Sequence, residues 1–421
     1  MGQSWSISRR EFLISAGILG GAAATGVGLW DLEGRRLTTA SLPASSATRS
    51  AGRGGSGPLV VVTMYGGNDG LNTLVPYSQS AYAAARPTLG YTAGQVLPLD
   101  DDFGLNPRLK GLQSLWKSGQ LAIVRGVGYP NPNLSHFASM DIWQTANPTD
   151  GTGPGWIGRW LDLTGDDPMR AISVGPTLPT LLRGASQTAT AVVSPQIDLP
   201  GDQQFQQAFA AMQTQGSDRQ GALAAVAGAG TDLLHAQEQL DALKATATAG
   251  EGGSGGVDGV TATDIAGQLA AVAALINAGS PTKVYHVSLS SFDTHSDEKT
   301  DQERILGQLD TALTDFLSAV AGSAPGRETV LMTYSEFGRR PTQNASGGTD
   351  HGTASVLFVA GHQVKGGQYY GEQPSLTSLD ANGNLVYNVD FRSVYSTVLE
   401  SVVGFDSKDV LGGSFPPLGF V

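Results

Sequence analysis

The 421-residue chain contains no cysteine. Disulfides, thiolate metal sites and a cysteine nucleophile are therefore excluded. Charge is sparse, with Asp, Glu, Lys and Arg at 15% of the residues. Within that share 37 acidic residues outnumber 25 basic ones, for a formal net charge of −12. No long basic stripe is present to neutralise phosphates, which argues against nucleic acid as a partner. Histidine is scarce at six copies. Familiar chemical signatures are also missing. There is no Gly-rich loop ending in Gly-Lys-Ser or Gly-Lys-Thr, no G-x-G-x-x-G after the first predicted strand, no H-E-x-x-H and no G-x-S-x-G elbow after a predicted strand, the string Gly252 to Gly256 belonging to a Gly-rich linker. ATPase, dehydrogenase, zincin and lipase readings are weakened accordingly. Glycine, in contrast, is abundant at 57 residues, which suits a loop-rich chain with many tight turns.

What is present begins with Ser8-Arg9-Arg10-Glu11-Phe12-Leu13 and an apolar run from Ile14 to Leu29. This start resembles the twin-arginine export signal, a targeting segment that stands outside the fold. The run is short for a permanent membrane span. Residues 1–36 read as the signal segment, and 37–57, rich in Ser, Ala and Gly, as a flexible lead-in. The resemblance implies the twin-arginine export machinery as a partner and a periplasmic or extracellular destination. Membrane attachment would come only through the signal segment, if it stays uncleaved. Export in the folded state implies a cofactor or metal loaded beforehand.

Continuous apolar, β-branched runs predict strands buried on both faces at 59–64, 121–125, 284–289, 329–334 and 355–360. Helical spacing falls between them, over Pro107 to Lys117, Leu134 to Trp143, Ile305 to Val320 and residues 392–403. The alternation predicts an α/β sandwich with a mostly parallel sheet. Its first part is 58–202 and its second 281–421. Residues 203–280 lack strand signal and read as a helical insertion, with helices at Leu223 to Ala247 and Ile265 to Ile276. A Gly-rich linker at 249–257 separates them. The insertion reads as a hairpin packed on the sheet or as a lid.

In open α/β sheets, ligands collect beyond the carboxyl ends of the strands. Polar clusters follow the predicted strands at Asn68-Asp69, at Ser291 to Glu298, and at Ser335 to Arg340, which leads on to Thr349-Asp350-His351-Gly352. Two of the six histidines stand beside an aspartate, in Asp293-x-His295 and Asp350-His351. Imidazole with carboxylate suits Zn, Mn or Fe ions, whereas oxygen-only sites favour Mg or Ca. Asp69, Asp293, His295, Asp350 and His351 are therefore candidate ligands of a divalent metal. Ser135, at a predicted helix start, is a nucleophile or a helix cap. His136 is a ligand, a substrate contact or a structural histidine. Arg339 or Arg340 could clamp an anion or pair with Glu336. His235 and His286 read as packing or core residues, and His362 as an open candidate. Trp143, Trp156 and Trp160 could stack on a sugar or fill the core.

Several segments together resemble one family. They are Gly66-Gly67-Asn68-Asp69-Gly70-Leu71-Asn72, Leu134-Ser135-His136-Phe137, Gly155-Trp156-Ile157-Gly158-Arg159, Phe292-Asp293-Thr294-His295, Ser335-Glu336-Phe337-Gly338-Arg339, Thr349-Asp350-His351-Gly352 and Asp390-Phe391-Arg392-Ser393-Val394-Tyr395. The family is that of twin-arginine-exported bacterial proteins labelled domain of unknown function 1501. It is similar, remotely, to the alkaline phosphatase and sulfatase superfamily. That likeness implies an alkaline-phosphatase-like three-layer sandwich and one or two divalent metals (Zn, Mn, Ca or Mg). It also implies hydrolysis of a phosphate, sulfate or related ester by a hydroxyl nucleophile, at or near Ser135; His136 and Arg339 stand beside it as catalytic candidates from their own positions in the sequence. Asp350-His351 matches an Asp-His metal pair after a late strand, and Asp69 the aspartate after the first strand. His295 stands two positions after Asp293, where the superfamily has a histidine four positions on, so a one-metal site or an altered ligand set is implied. The alternative function is non-catalytic binding of carbohydrate or cell-envelope material on the same scaffold.

Overall fold

A computed structural model describes residues 57–175, 177–193, 203–216, 222–249 and 264–421. The expected signal segment, the lead-in as far as Ser56 and most of the expected Gly-rich linker lie outside the described residues. The principal strands are β1 Leu59–Met64, β2 Leu121–Gly128, β3 Ala171–Val174, β4 Thr190–Val192, β5 Val284–Leu289, β6 Val330–Ser335, β7 Arg339–Gln343, β8 Thr349–His351, β9 Ser355–Ala360, β10 Gln368–Tyr370 and β11 Val389–Asp390. The principal helices are α1 Lys110–Lys117, α2 His136–Thr145, α3 Trp156–Thr164, α4 Gln203–Gly216, α5 Ala222–Ala249, α6 Ile265–Asn277, α7 Glu298–Val320 and α8 Phe391–Val398.

Nine strands form one mixed sheet in the order β10-β2-β9-β6-β1-β5-β3-β4, with β11 also paired to β2. The pairs β1 with β5, β1 with β6, β3 with β5 and β3 with β4 are parallel. Strand β9 runs antiparallel to both its neighbours, β2 and β6. This polarity decides where the chemistry gathers. The carboxyl ends of β1, β2, β5 and β6 share one edge of the sheet, and the start of β9 returns to that same edge. Asp350-His351 therefore reaches it from a different direction than the sequence suggested. It does not follow a long strand but precedes β9, in the small antiparallel pair of β7 and β8.

Strand β1 is fully buried, as its uninterrupted Leu-Val-Val-Val run requires. Successive side chains of a strand point to opposite faces. Val60, Val62 and Met64 join one core, with residues of α1, α5, α6 and α7. Leu59 and Val61 join the other, with residues of α2, α3 and α8. The result is a three-layer sandwich. Helix α7 carries the expected period, burying Ile305, Leu306, Leu309, Leu313 and Phe316. Each fully buried side chain of this size contributes about 1.5–3 kcal/mol relative to exposure. Helix α6 packs against β5 and α7, and Ala236 and Leu240 of α5 reach the same core. Trp143, Trp156 and Trp160 are all buried in the second core, which removes them from any sugar-stacking surface.

Candidate metal centre

Three loops meet at the shared edge. The turn after β2 ends in α2, which begins at His136. The loop after β5 carries Asp293 and His295, and β8 ends in His351. His136, Asp293 and His351 each offer a ligand atom, all within 4.8 Å of one another, a cluster positioned to chelate a divalent metal. His136 Nε2 lies 3.4 Å from Asp293 Oδ2, and His351 Nε2 lies 3.2 Å from Asp293 Oδ1. His295 stands against the same group, its Nε2 at 3.0 Å from Asp293 Oδ1 and 2.9 Å from His351 Nε2. Ligand atoms of a tetrahedral zinc site, with bonds near 2.0–2.1 Å, stand roughly 3.3 Å apart. The spacings here bracket that value.

The surrounding bonds fix which ring nitrogens face inward. Glu336 Oε1 accepts a hydrogen bond from His136 Nδ1 at 2.8 Å. The Leu134 carbonyl accepts one from His351 Nδ1 at 2.8 Å. With the proton held at Nδ1 in both rings, each Nε2 presents a lone pair to the centre. His136 Nε2 is buried and has no hydrogen-bond partner. A buried polar atom in that state lacks a partner that an ion would provide, so the residues present fit a metal.

Glu336 is itself buried and anchored. Its carboxylate accepts from the N–H groups of Gly66 and Gly67, at 2.9 and 3.1 Å, and from Ser335 Oγ at 3.0 Å. Both glycines have positive φ, +119° and +74°. A Cβ on Gly66 would lie 2.5 Å from Asp293 N, and one on Gly67 2.3 Å from the Phe337 ring. The Gly-Gly pair is thus required for both amides to turn onto one carboxylate. Sequence reasoning treated Glu336 only as a salt-bridge partner. The signal that could have found it was the polar step Ser335-Glu336 at a strand end, opposite a Gly-Gly turn.

Arg339 holds the other side of the same loop. Its guanidinium donates to the carbonyls of Gly67 (2.7 Å), Gly66 (2.5 Å), Phe292 (3.0 Å) and Thr349 (2.9 Å), and to Asp293 Oδ1 (2.7 Å). Neither the anion clamp nor the pair with Glu336 describes it, because the buried group spends its donors on the loops that carry the ligands. Partial burial would raise the Asp293 pKa. The hydrogen bond from Arg339, the contact with His351 and the charge of Arg339 outweigh that and bring it down to about 2. Burial moves His351 below its ordinary value, against the pull of Leu134 and Asp293.

Asp69 is a correction. It does not reach the cluster, being buried and fully paired with Arg86, whose Nη2 donates to Oδ1 at 2.8 Å and whose Nη1 contacts Oδ2. It also caps the short turn Gly70–Thr73 through Leu71 N. Asp350 is likewise turned outward. Its Oδ1 accepts from Asn344 Nδ2 at 3.2 Å and lies 3.6 Å from His295 Nδ1, beyond hydrogen-bond distance. Ser135 is exposed at the N-cap position of α2, and its hydroxyl makes no capping bond. Ser139 is buried, bonded to Tyr129 and to the Glu336 carbonyl. His286 is enclosed between Thr63 and Ser173, and burial takes its pKa down to about 3. His362 lies beyond the far end of β9, at the opposite edge of the sheet.

A family model for proteins of unknown function, DUF1501, matches residues 58–413. The chain belongs to the DUF1501 family. The match takes in every member of the centre. No curated protein matches the chain significantly. Among solved structures, the chain is similar to the C-terminal periplasmic domain of EcEptC from Escherichia coli in complex with Zn, at 11% identity and a TM-score of 0.36, over 73% of this chain and 74% of that one. It is similar to the phosphonate monoester hydrolase of Agrobacterium radiobacter, at 11% identity and a TM-score of 0.38, over 86% and 79%. It is also similar to alkaline phosphatase from the Antarctic bacterium TAB5, at 8% identity and a TM-score of 0.31, over 76% and 95%.

Proposed function

We propose that the protein is an exported metal-dependent hydrolase of a phosphate, sulfate or related ester. The observation that carries the reading is the partnerless, buried Nε2 of His136, aimed at Asp293 beside His351. His136, Asp293 and His351 would hold the ion, with His295 as a fourth donor. An imidazole-rich set with one carboxylate suits Zn or Mn better than Ca or Mg. When bound, the ion supplies a Lewis acid that polarises the ester oxygen and lowers the pKa of a hydroxyl or water.

The chain's own residues do the rest. Glu336 and Leu134 hold His136 and His351 in one tautomer. Arg339 keeps Asp293 ionised and fixes the loops. Ser135 is the nucleophile, its hydroxyl free at the start of α2, where unpaired N–H groups favour an anion. Export rests on the Arg9-Arg10 start, and the export machinery is the partner it implies.

The test is elemental analysis of the full chain purified from its export compartment, beside His136→Ala and Asp293→Asn. About one equivalent of metal, lost in both variants, is the expected result. Turnover of 4-nitrophenyl phosphate and 4-nitrophenyl sulfate is then measured on the loaded protein. No metal after incubation with Zn²⁺ and Mn²⁺ sinks the reading. Metal without turnover of either ester leaves the binding function instead.

A further inference from the structure

An open cleft of about 600 Å³ shares His136, Asp293 and Glu336 with the metal centre. Phe137, Met140, Leu178 and Arg183 also line it. Two of these residues are unusual for what they leave unused. Phe137 follows a metal-ligand candidate directly, yet 86% of it is exposed. An aromatic ring left bare beside a polar centre is a surface for an apolar ligand group. Arg183 has its Nε buried without a hydrogen-bond partner. Among the described residues no ion pair and no side-chain hydrogen bond engages its guanidinium. Asp141 lies on the same cleft within electrostatic reach of Arg183, but the two do not pair. The contrast with Arg339 is direct, since that guanidinium is spent entirely on the protein.

We infer that the cleft is a second recognition subsite. In it Arg183 binds an oxyanion carried by the ligand, and Phe137, Met140 and Leu178 hold the apolar body between that oxyanion and the metal centre. The inference rests on the ester-hydrolase reading of the centre and adds the substrate class. The preferred ester is anionic at both ends, with an aryl or similarly apolar group in the middle. A guanidinium presents a planar fork that matches a carboxylate with two parallel bonds, which a lysine cannot do.

The test compares 4-carboxyphenylphosphonate with phenylphosphonate, which differ by one carboxylate and do not hydrolyse. Binding of each to the zinc-loaded full chain is measured by calorimetry, for the wild type, Arg183→Met and Arg183→Gln. The wild type is expected to prefer the carboxylated probe by about tenfold or more, as a charged bidentate contact provides. Both variants should erase the preference while keeping their affinity for phenylphosphonate. Two variants keep the comparison readable if one of them fails to fold. Equal binding of the two probes by the wild type overturns the subsite, as does no binding of either, or a preference that survives in a folded variant. Turnover of phenyl phosphate is followed separately. A carboxylate preference without turnover retains the subsite and rejects the hydrolase.

Discussion

Glu336 and His136 are joined by a 2.8 Å hydrogen bond between Oε1 and Nδ1, across 200 residues of chain. The carboxylate is held by two glycine amides and a serine hydroxyl, so the imidazole inherits a fixed orientation.

Replacing Glu336 with Gln should therefore weaken metal binding without touching a ligand. Hydrogen-bond partners of the outer nitrogen of a metal-bound histidine contribute about 10–100-fold in affinity. A loss of that size is expected in competition titrations of Zn²⁺ against a chelator. Unchanged affinity in the variant would show that His136 does not ligate the ion.

Arg339→Met should be strongly destabilising. Four backbone carbonyls and the Asp293 carboxylate lose their donor together. Leaving a buried carbonyl without its donor costs about 1–3 kcal/mol, and the half-exposed Asp293 adds less. Urea denaturation should show a lower midpoint of that order, and Arg339→Lys should not restore it, because an ammonium cannot span the same set of acceptors. A midpoint within error of the wild type would contradict the positioning role.

Glu298 gives a pH dependence of stability. It is buried against Asp69, and burial first, then the Asp69 charge, raise its pKa well above the ordinary carboxylate range. The folded protein thus keeps a proton that the unfolded chain releases near the ordinary value of about 4.3. The stabilisation is complete below that value and declines as pH rises toward the folded pKa, by at most about 1.4 kcal/mol per pH unit. Glu298→Gln mimics the protonated form and escapes the decline. The difference in melting temperature, variant minus wild type, should grow from pH 5 to pH 8. Parallel curves over that interval would refute the assignment.

Ser135→Ala separates a cap from a nucleophile. Its hydroxyl makes no capping bond, so the variant should hold its stability within about 0.5 kcal/mol. Turnover should fall by about a thousandfold or more if Ser135 attacks the ester. A lowered melting temperature with intact turnover would reverse the assignment.

The central strands were legible because they are buried on both faces, which forces continuous apolar runs such as 59–64, 284–289 and 355–360. The short strands toward the two ends of the sheet were not. Ala171–Val174, Thr190–Val192 and Gln368–Tyr370 are three or four residues long and mix polar with apolar types. Asp293, His295 and His351 were found because imidazole beside carboxylate is rare in a chain with six histidines. Asp69 was misplaced for a physical reason. A strand-end aspartate looks the same in sequence whether it faces a ligand or a buried arginine, and Arg86 declares itself only through the fold. Glu336 was undervalued for a similar reason, since its role comes from where Gly66 and Gly67 turn their amides.

Strand β9, which runs against both of its neighbours in the main sheet, has a kinetic consequence. His136, Asp293 and His351 come from three distant stretches, and His351 reaches the others only because β9 pairs between β2 and β6. Contacts so far apart in sequence form late, after the costs of closing long loops have been met. Any ion held there binds the finished sheet and not its precursors, so it slows unfolding without speeding folding. The centre then acts as a clasp closed last, marking molecules whose sheet is complete.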